Sequence, residues 1–309
     1  MTHISIIIIN YNTAEDTTEC LKSVKKLHNS KLKVSVIIVD NGSQVPYILP
    51  TYLQPDSNSG DLVFEVVRSE SNLGFTGGNN LGIHYSIEKY NSEFVFLLNS
   101  DTTVDPNVLK ELISFADEHP RMGIISPKIY FSKGSEFHSD YEKQNLGKII
   151  WYAGGTIDWQ HLVAFHRCVD EIDRGQARNV SESDFATGCA MLIRREVLEK
   201  VGTFDKRYFL YLEDVDLCVR ARNLGYEIGF CNSAVVWHKN AGSGDGVGNV
   251  IQSYYQTRNR MLFAFKHGTA VSKINAVRIG LSKIFNGSAH EKLGILHAIT
   301  AQFGKQQIV

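Results

Sequence analysis

The chain has 309 residues, 43% hydrophobic and 21% charged, with a net charge of −1 and only six prolines. It carries no low-complexity tract, no internal repeat and no apolar run of membrane-spanning length, which excludes long disordered segments, a repeat array and an integral membrane helix. The length suits one large α/β domain or two intimate halves, and five scattered cysteines (Cys20, Cys168, Cys189, Cys218, Cys231) fit a reducing cytosol better than a zinc site or a disulfide frame.

Ile4–Ile9 is too short for a secretion signal and lacks a basic segment before it, so it is predicted as the first strand. A helix over Ala14–Leu27 follows, with Thr13 as N-cap. Val34–Val39 is the second strand and ends on Asp40-Asn41-Gly42-Ser43. Residues 44–60 form a loop, and Leu62–Val67 a third strand. Asn72 to Asn80 reads as a Gly- and Asn-rich turn feeding a helix over Leu81–Tyr90. Phe94–Leu98 is a buried strand that stops at Asn99-Ser100-Asp101, and Asp105-Pro106 opens another helix. This β-α alternation predicts a doubly wound, mostly parallel sheet.

The middle is less regular. Strands are predicted over Ile124–Phe131, Ile149–Ile157 and Ala186–Ile193, then a short helix over Glu196–Val201. A helix over Glu213–Leu224 is closed by Gly225. Tyr226–Cys231 and Ala234–Trp237 are short strands. The glycine-rich stretch Ala241–Gly248 is a lid candidate. Helices run to the end. From Val250 onward there are eight Lys or Arg residues against one acid, Glu291, a balance of +7, leaving −8 on residues 1–249. Ile274, Val277, Leu281 and Ile284 share one helical face, so this tail either lies on an anionic membrane or packs as a surface helix.

Ligands of open α/β sheets bind beyond the carboxyl ends of the strands. Three polar turns fall there: Tyr11-Asn12-Thr13, Asp40-Asn41-Gly42 and Ser100-Asp101. Together they outline a nucleotide-shaped cleft, with Asp101 facing metal-bound phosphates. The turn at Asn72–Asn80 lets backbone approach a ligand, though it matches neither the dinucleotide fingerprint nor the P-loop. A second acidic group, Glu213-Asp214-Val215-Asp216, follows the aromatic run Tyr208–Tyr211, which can form a sugar platform. Asp216 and Arg220 are spaced to pair. His238, at the end of a strand, can complete an Asp/His set with Asp101 for a divalent cation.

These blocks resemble glycosyltransferase family 2, in its rhamnosyltransferase-like branch. The likeness runs in order over roughly residues 3–265. It takes in Ile8-Ile9-Asn10-Tyr11-Asn12, Val39-Asp40-Asn41-Gly42-Ser43, Asn72-Leu73-Gly74-Phe75 and Leu97-Leu98-Asn99-Ser100-Asp101. It continues through Gly188 to Arg195, Gly202-Thr203-Phe204-Asp205, Tyr211 to Cys218, Trp237-His238 and Tyr254-Tyr255-Gln256-Thr257-Arg258-Asn259. Glu-Asp-x-Asp-Leu is its most specific part. One departure is Asn99, where many relatives carry the first acid of Asp-x-Asp.

The resemblance implies a GT-A fold with a nucleotide-sugar half (1–101) and an acceptor half (102–249) fused, then a basic helical region at 250–309. It implies an inverting, metal-dependent transfer. Tyr11, Asn12, Asp40, Asn72, Gly74, Asn79, Ser100 and Asp101 are expected on the donor side, with Asn12 and Asp40 on the nucleoside. Asp101 and His238 are expected on Mg2+ or Mn2+, and Asp214 as general base. Tyr211, Glu213, Asp216, Trp237 and Arg258 are expected on the acceptor side. The expected donor is dTDP-L-rhamnose, with a UDP-hexose or UDP-galactofuranose as alternatives. The expected acceptor is a lipid-linked or surface glycan at the inner face of the cytoplasmic membrane. A homo-oligomer is compatible with this, and nucleic acid is not an expected partner. The rival of another class is a catalytically silent glycan-binding or scaffold homologue.

Overall fold

The computed structural model describes residues 1–28, 32–53, 61–138, 140–239 and 250–308. The lid candidate Ala241–Gly248 lies outside them. The first half alternates β1 (Thr2–Asn10), α1 (Ala14–Val24), β2 (Leu32–Asn41), β3 (Leu62–Ser69), α2 (Gly74–Tyr90) and β4 (Phe94–Asn99). Then come β5 (Thr102–Val104), α3 (Val108–Glu118), β6 (Met122–Phe131), β7 (Ile150–Tyr152), β8 (Gly155–Asp158) and β9 (Val163–His166). The rest is β10 (Ala190–Arg194), α4 (Arg195–Val201), α5 (Glu213–Asn223), β11 (Glu227–His238), α6 (Val250–His267), α7 (Ala270–Asn286) and α8 (Ala289–Ile299).

The main sheet has the order β3-β2-β1-β4-β10-β6-β11-β5, with β7 also on β6. β3, β2, β1, β4, β6 and β11 run one way, and β10, β5 and β7 run against them. β1 and β4 are apolar on both faces because helices cover both: Ile4, Ile6, Ile7, Ile8, Val95, Phe96 and Leu97 are all buried. The strand ends Asn10, Asp40 and Asn99 therefore emerge together at one edge.

The observed α2 begins at Gly74, so the stretch expected as a turn is helix. Its glycines serve close helix-to-sheet packing. A Cβ at Gly82 would lie 2.5 Å from Ile7 Cγ2, and one at Gly78 would lie 3.1 Å from Ile9 Cδ1. The strand expected over Ile149–Ile157 breaks into β7 and β8 at Gly154, where φ is +92°. The two short strands expected before His238 are one strand, β11, with a register shift between Cys231 and Val235. β5 has no strong sequence signal; it pairs with β11, Thr102 opposite His238.

The last sixty residues are not a detached tail. Leu262 and Phe263 of α6 belong to the main core, while α7 and α8 add a small second cluster around Met261, Ala264, Ala276 and Ile295.

Candidate active site

The donor-side turns interlock. Asn12 has φ +57°; its N–H donates to Ser43 Oγ (3.0 Å) and its Oδ1 accepts from Gln44 N–H (2.9 Å). Tyr11 beside it is exposed. Thr13 holds the N-cap position of α1 without a side-chain cap; its hydroxyl meets Ser100 Oγ at 3.2 Å.

Asp40 is fully buried and saturated. It accepts from Asn10 Nδ2 (3.3 Å), Ser43 N–H (3.3 Å) and Tyr47 N–H (3.0 Å), and it pairs with Arg68, its register partner on β3. Burial pushes its carboxyl up, but these hydrogen bonds outweigh it and hold the pKa below the usual range. Asp40 thus organises the loop that would meet a nucleoside, with its own oxygens already engaged.

Asn72 accepts from Gly74 N–H at 2.8 Å, and Asn41 bridges to Leu73 N–H (3.0 Å) and Gly74 O (3.1 Å). Two residues expected on the donor side have partners within the protein. Asn79 is buried and its amide turns back to Phe75 O on its own helix (3.0 Å). Gly74, at φ +74°, makes room for Phe209, whose ring would lie 2.4 Å from a Cβ there.

Asp101 lies just beyond β4, where β5 turns the chain toward β11. Its Oδ2 is 3.2 Å from His238 Nε2. His238 is buried, its Nδ1 has no partner among the described residues, and its ring sits edge-on to Trp151 at 4.6 Å, so packing orients it. An oxygen and an imidazole nitrogen at this separation fit two adjacent ligands of one divalent cation, whose bonds are about 2.1 Å. Among the described residues no group of three or more His, Cys, Asp or Glu forms a metal cage. A cation here would take its remaining ligands from diphosphate and water, as Mg2+ commonly does.

The acidic block stands close by. Cys189 O accepts from Asn99 N–H (2.9 Å), and the preceding Gly188 N–H donates to Asp214 Oδ2 (2.8 Å). Burial pushes the Cys189 thiol up, and the nearby charges of Asp101 and Asp214 add to this. Those two carboxylates therefore flank one residue. Burial raises the pKa of Asp214 although Gly188 and Val215 N–H groups oppose it. Glu213 is buried, its Oε2 has no partner among the described residues, and burial with the neighbouring Asp214 raises its pKa well above the carboxylate range.

The approach to this block is strained. Phe209, Tyr211 and Leu212 have φ of +65°, +71° and +68°. Each such residue costs about 1 kcal/mol or more. The aromatic run is no open platform: Tyr208 is buried with its hydroxyl 3.1 Å from Asp216, and Phe209 stacks on Tyr255 at 5.2 Å. Tyr211 remains half-buried beside Glu213.

Three residues expected on the acceptor side are likewise engaged within the protein. Asp216 is 0% exposed and bound by Arg220 Nε (2.7 Å), His267 Nε2 (2.7 Å) and Lys266 Nζ (2.6 Å), so it anchors α5 to α6. Trp237 lies on the face of β11 opposite His238, because side chains alternate along a strand, and its indole N–H bonds Gly147 O (3.0 Å). Arg258 is fully buried and binds main-chain carbonyls. Gly188, Arg68 and Asn259 matter in this site and were not singled out. Only long-range pairing reveals Arg68; Gly188 and Asn259 stood inside family motifs.

The glycosyl transferase family 2 profile matches residues 5–202. The low-salt glycan biosynthesis hexosyltransferase Agl10 of Haloferax volcanii is 28% identical over 262 residues, 84% of this chain and 74% of that protein. The N-acetylglucosaminyl-diphospho-decaprenol L-rhamnosyltransferase of Mycobacterium tuberculosis is 28% identical over 217 residues, 68% of each. The fold is similar to GalNAc-T7 crystallised with UDP, GalNAc and Mn2+ (TM-score 0.60, 16% identity, 97% of this chain and 58% of that one). It is also similar to S. aureus TarS 1–349 (TM-score 0.55, 16% identity, 97% and 79%). These neighbours share the GT-A architecture, and the profile spans well over half of the sequence. The chain belongs to glycosyl transferase family 2.

Proposed function

We propose that the protein is an inverting, metal-dependent glycosyltransferase that moves a sugar from a nucleoside-diphosphate donor to an acceptor hydroxyl. The observation that carries this reading is the pair Asp101 and His238, 3.2 Å apart, with Asp214 on the neighbouring wall. Asp101 and His238 would hold the divalent cation, which when bound neutralises charge on the leaving diphosphate. Asp214 takes the proton of the acceptor hydroxyl as its oxygen attacks the anomeric carbon. The bond from that carbon to the phosphate oxygen breaks on the opposite face, and the configuration inverts. Burial favours Asp214 as a base, since a carboxylate with a raised pKa accepts a proton more readily. The Asp40 network shapes the nucleoside loop, and Asn12 and Tyr11 border it.

The donor we propose is dTDP-L-rhamnose and the acceptor a lipid-linked or cell-surface glycan. The mycobacterial relative is an L-rhamnosyltransferase named for an N-acetylglucosaminyl-diphospho-decaprenol acceptor, which supports both. UDP-hexoses and UDP-galactofuranose are the competing donors. No helix among the described residues is long and apolar enough to cross a membrane. α7 exposes Val271, Ile274, Val277, Leu281, Ile284 and Phe285, and Lys273, Arg278 and Lys292 have no ion-pair partner among the described residues. We assign this surface to the inner face of an anionic membrane.

A calorimetric screen of UDP, dTDP and their sugars with and without Mn2+ tests the reading. Mn2+-dependent binding of one diphosphate, lost in Asp101→Ala, is expected, together with release of that diphosphate from its sugar. Binding without turnover of any donor supports the silent homologue instead. Unchanged Mn2+ dependence in Asp101→Ala removes the cation assignment.

A further inference from the structure

Five successive main-chain carbonyls, from Arg207 to Tyr211, are each captured by a donor from another element. Arg258 binds Arg207 O (3.0 Å) and Tyr208 O (2.8 Å). Asn259 Nδ2 binds Tyr208 O (2.9 Å), Leu210 O (2.7 Å) and Tyr211 O (2.9 Å). Thr76 N–H takes the remaining one, Phe209 O (3.2 Å). The two α6 side chains also brace each other, since Asn259 Oδ1 accepts from Arg258 Nε (3.0 Å) and Nη2 (2.9 Å).

Both side chains are 0% exposed. Among the described residues the Arg258 guanidinium has no carboxylate partner; it is satisfied by carbonyls and lies over the Tyr255 ring at 4.7 Å. Burying a charge this way is expensive, and apolar side chains would fill the space at lower cost. What apolar residues cannot do is hold carbonyls in place. The carbonyls held belong to the strained stretch, whose last residue, Leu212, turns directly into Glu213 and Asp214. Relaxation of φ at Tyr211 or Leu212 toward ordinary values would swing Asp214 off the Gly188 N–H.

We propose that Arg258 and Asn259 are positioning residues, which hold the 207–212 loop and its left-handed residues Phe209, Tyr211 and Leu212 in place and so fix the Asp214 carboxylate. The proposal rests on Asp214 being the base. A displacement of about 1 Å at a reacting group costs on the order of a hundredfold in rate. The nucleotide side, built from the ends of β1, β2 and β4, makes no contact with either side chain through the bonds described.

Full-length Asn259→Ala and Arg258→Lys are compared with Asp214→Asn and wild type. Arg258→Lys keeps the charge and removes the planar fork, so it guards against outright misfolding of the alanine variant. Three quantities are read: hydrogen–deuterium exchange of peptides covering 208–215, affinity for UDP and dTDP with Mn2+, and kcat and KM. Turnover uses dTDP-L-rhamnose, or the UDP-sugar that replaces it in the screen. Exchange in 208–215 should rise at least about tenfold in both clamp variants and stay at the wild-type level in Asp214→Asn. Turnover should fall by about a hundredfold with nucleotide affinity within about threefold, a split that global loosening does not produce. Wild-type exchange and turnover in both clamp variants would overturn the proposal, as would a parallel loss of nucleotide affinity. If Asp214→Asn turns over normally while the clamp variants do not, the clamp positions another group, and only the base assignment fails.

Discussion

The Lys266 ammonium, in the last turn of α6, lies 2.6 Å from the buried Oδ1 of Asp216 on α5. Arg220 and His267 reach the same carboxylate, so three cationic or potentially cationic groups converge on one acid. Burial alone would raise the pKa of Asp216; His267, Arg220 and Lys266 together hold it below the usual range. Asp216→Ala leaves these groups buried without their anion and should cost roughly 3–5 kcal/mol in denaturant unfolding. The folded-state pKa is depressed. This stability is therefore present above the unfolded value of about 3.9 and lost as pH falls through the folded one. On acidification below about pH 4 the wild type should lose more stability than Asp216→Asn. Equal losses would mean the hub is energetically idle.

Glu213 shows the opposite sign. Its folded pKa is raised, so the ionised form costs stability above that pKa, and the cost vanishes below the unfolded value of about 4.3. Glu213→Gln should melt higher than wild type at pH 8 and equally at pH 4. A variant less stable at pH 8 would show that the orphan oxygen has a partner in solution.

Asp214→Asn keeps the shape of the site and removes the base. Turnover should fall by about two to four powers of ten while UDP or dTDP affinity stays nearly intact. Because burial raises the pKa of Asp214, the acid limb of the wild-type kcat profile should lie above the ordinary aspartate range. A limb at or below that range would point to a solvent-exposed base.

The membrane contact is measurable by sedimentation with anionic vesicles. Five of the eight basic groups after Val250 are engaged within the protein: Arg258 on carbonyls, Arg260 on His161 O, Lys266 on Asp205 and Asp216, Lys283 on Glu291 and Lys305 on Asn72 O. Attraction rests on the apolar stripe and three basic groups, each worth about 1 kcal/mol near an anionic surface. Leu281→Glu should abolish sedimentation, and added salt should weaken it only moderately. Self-association of the wild type that Leu281→Glu disrupts, with no vesicle binding at low salt, would identify the stripe as an interface between copies.

The half of the fold built from local patterns was readable in advance. Apolar runs such as Phe94–Leu98 and Ile4–Ile9 have no other sensible use, and the polar residues that stop them mark the ligand edge. Asp101 and His238 could be proposed from sequence because each sits at the end of such a run, and Asp214 because it opens a helix inside the most specific family motif. What failed was whatever depends on distant partners. Arg68 reveals its tie to Asp40 only in the β2–β3 register. Gly78 looks like part of a turn until Ile9 of β1 and Asn41 of β2 are laid beneath it, and Gly74 until Phe209 is set against it. Nothing in Phe209, Tyr211 or Leu212 advertises a left-handed backbone, since tertiary bonds from α6 impose it. Arg258 looks like a ligand for the same reason: a charged side chain announces its charge but not the carbonyls it serves.

Pairing of β5 with β11 joins residues 102–104 to residues 236–238, and that pairing is what brings Asp101 to His238. Contacts so far apart along a chain close late, after the loop entropy between them has been overcome. During synthesis the β1–β4 layer can assemble while the chain that supplies His238, and later α6, is still being made. The nascent protein thus acquires its β1–β4 turns before it can complete the proposed cation pair or fix the proposed base. Catalytic competence arrives as the final event of folding, and a half-made chain has little means of spending donor sugar.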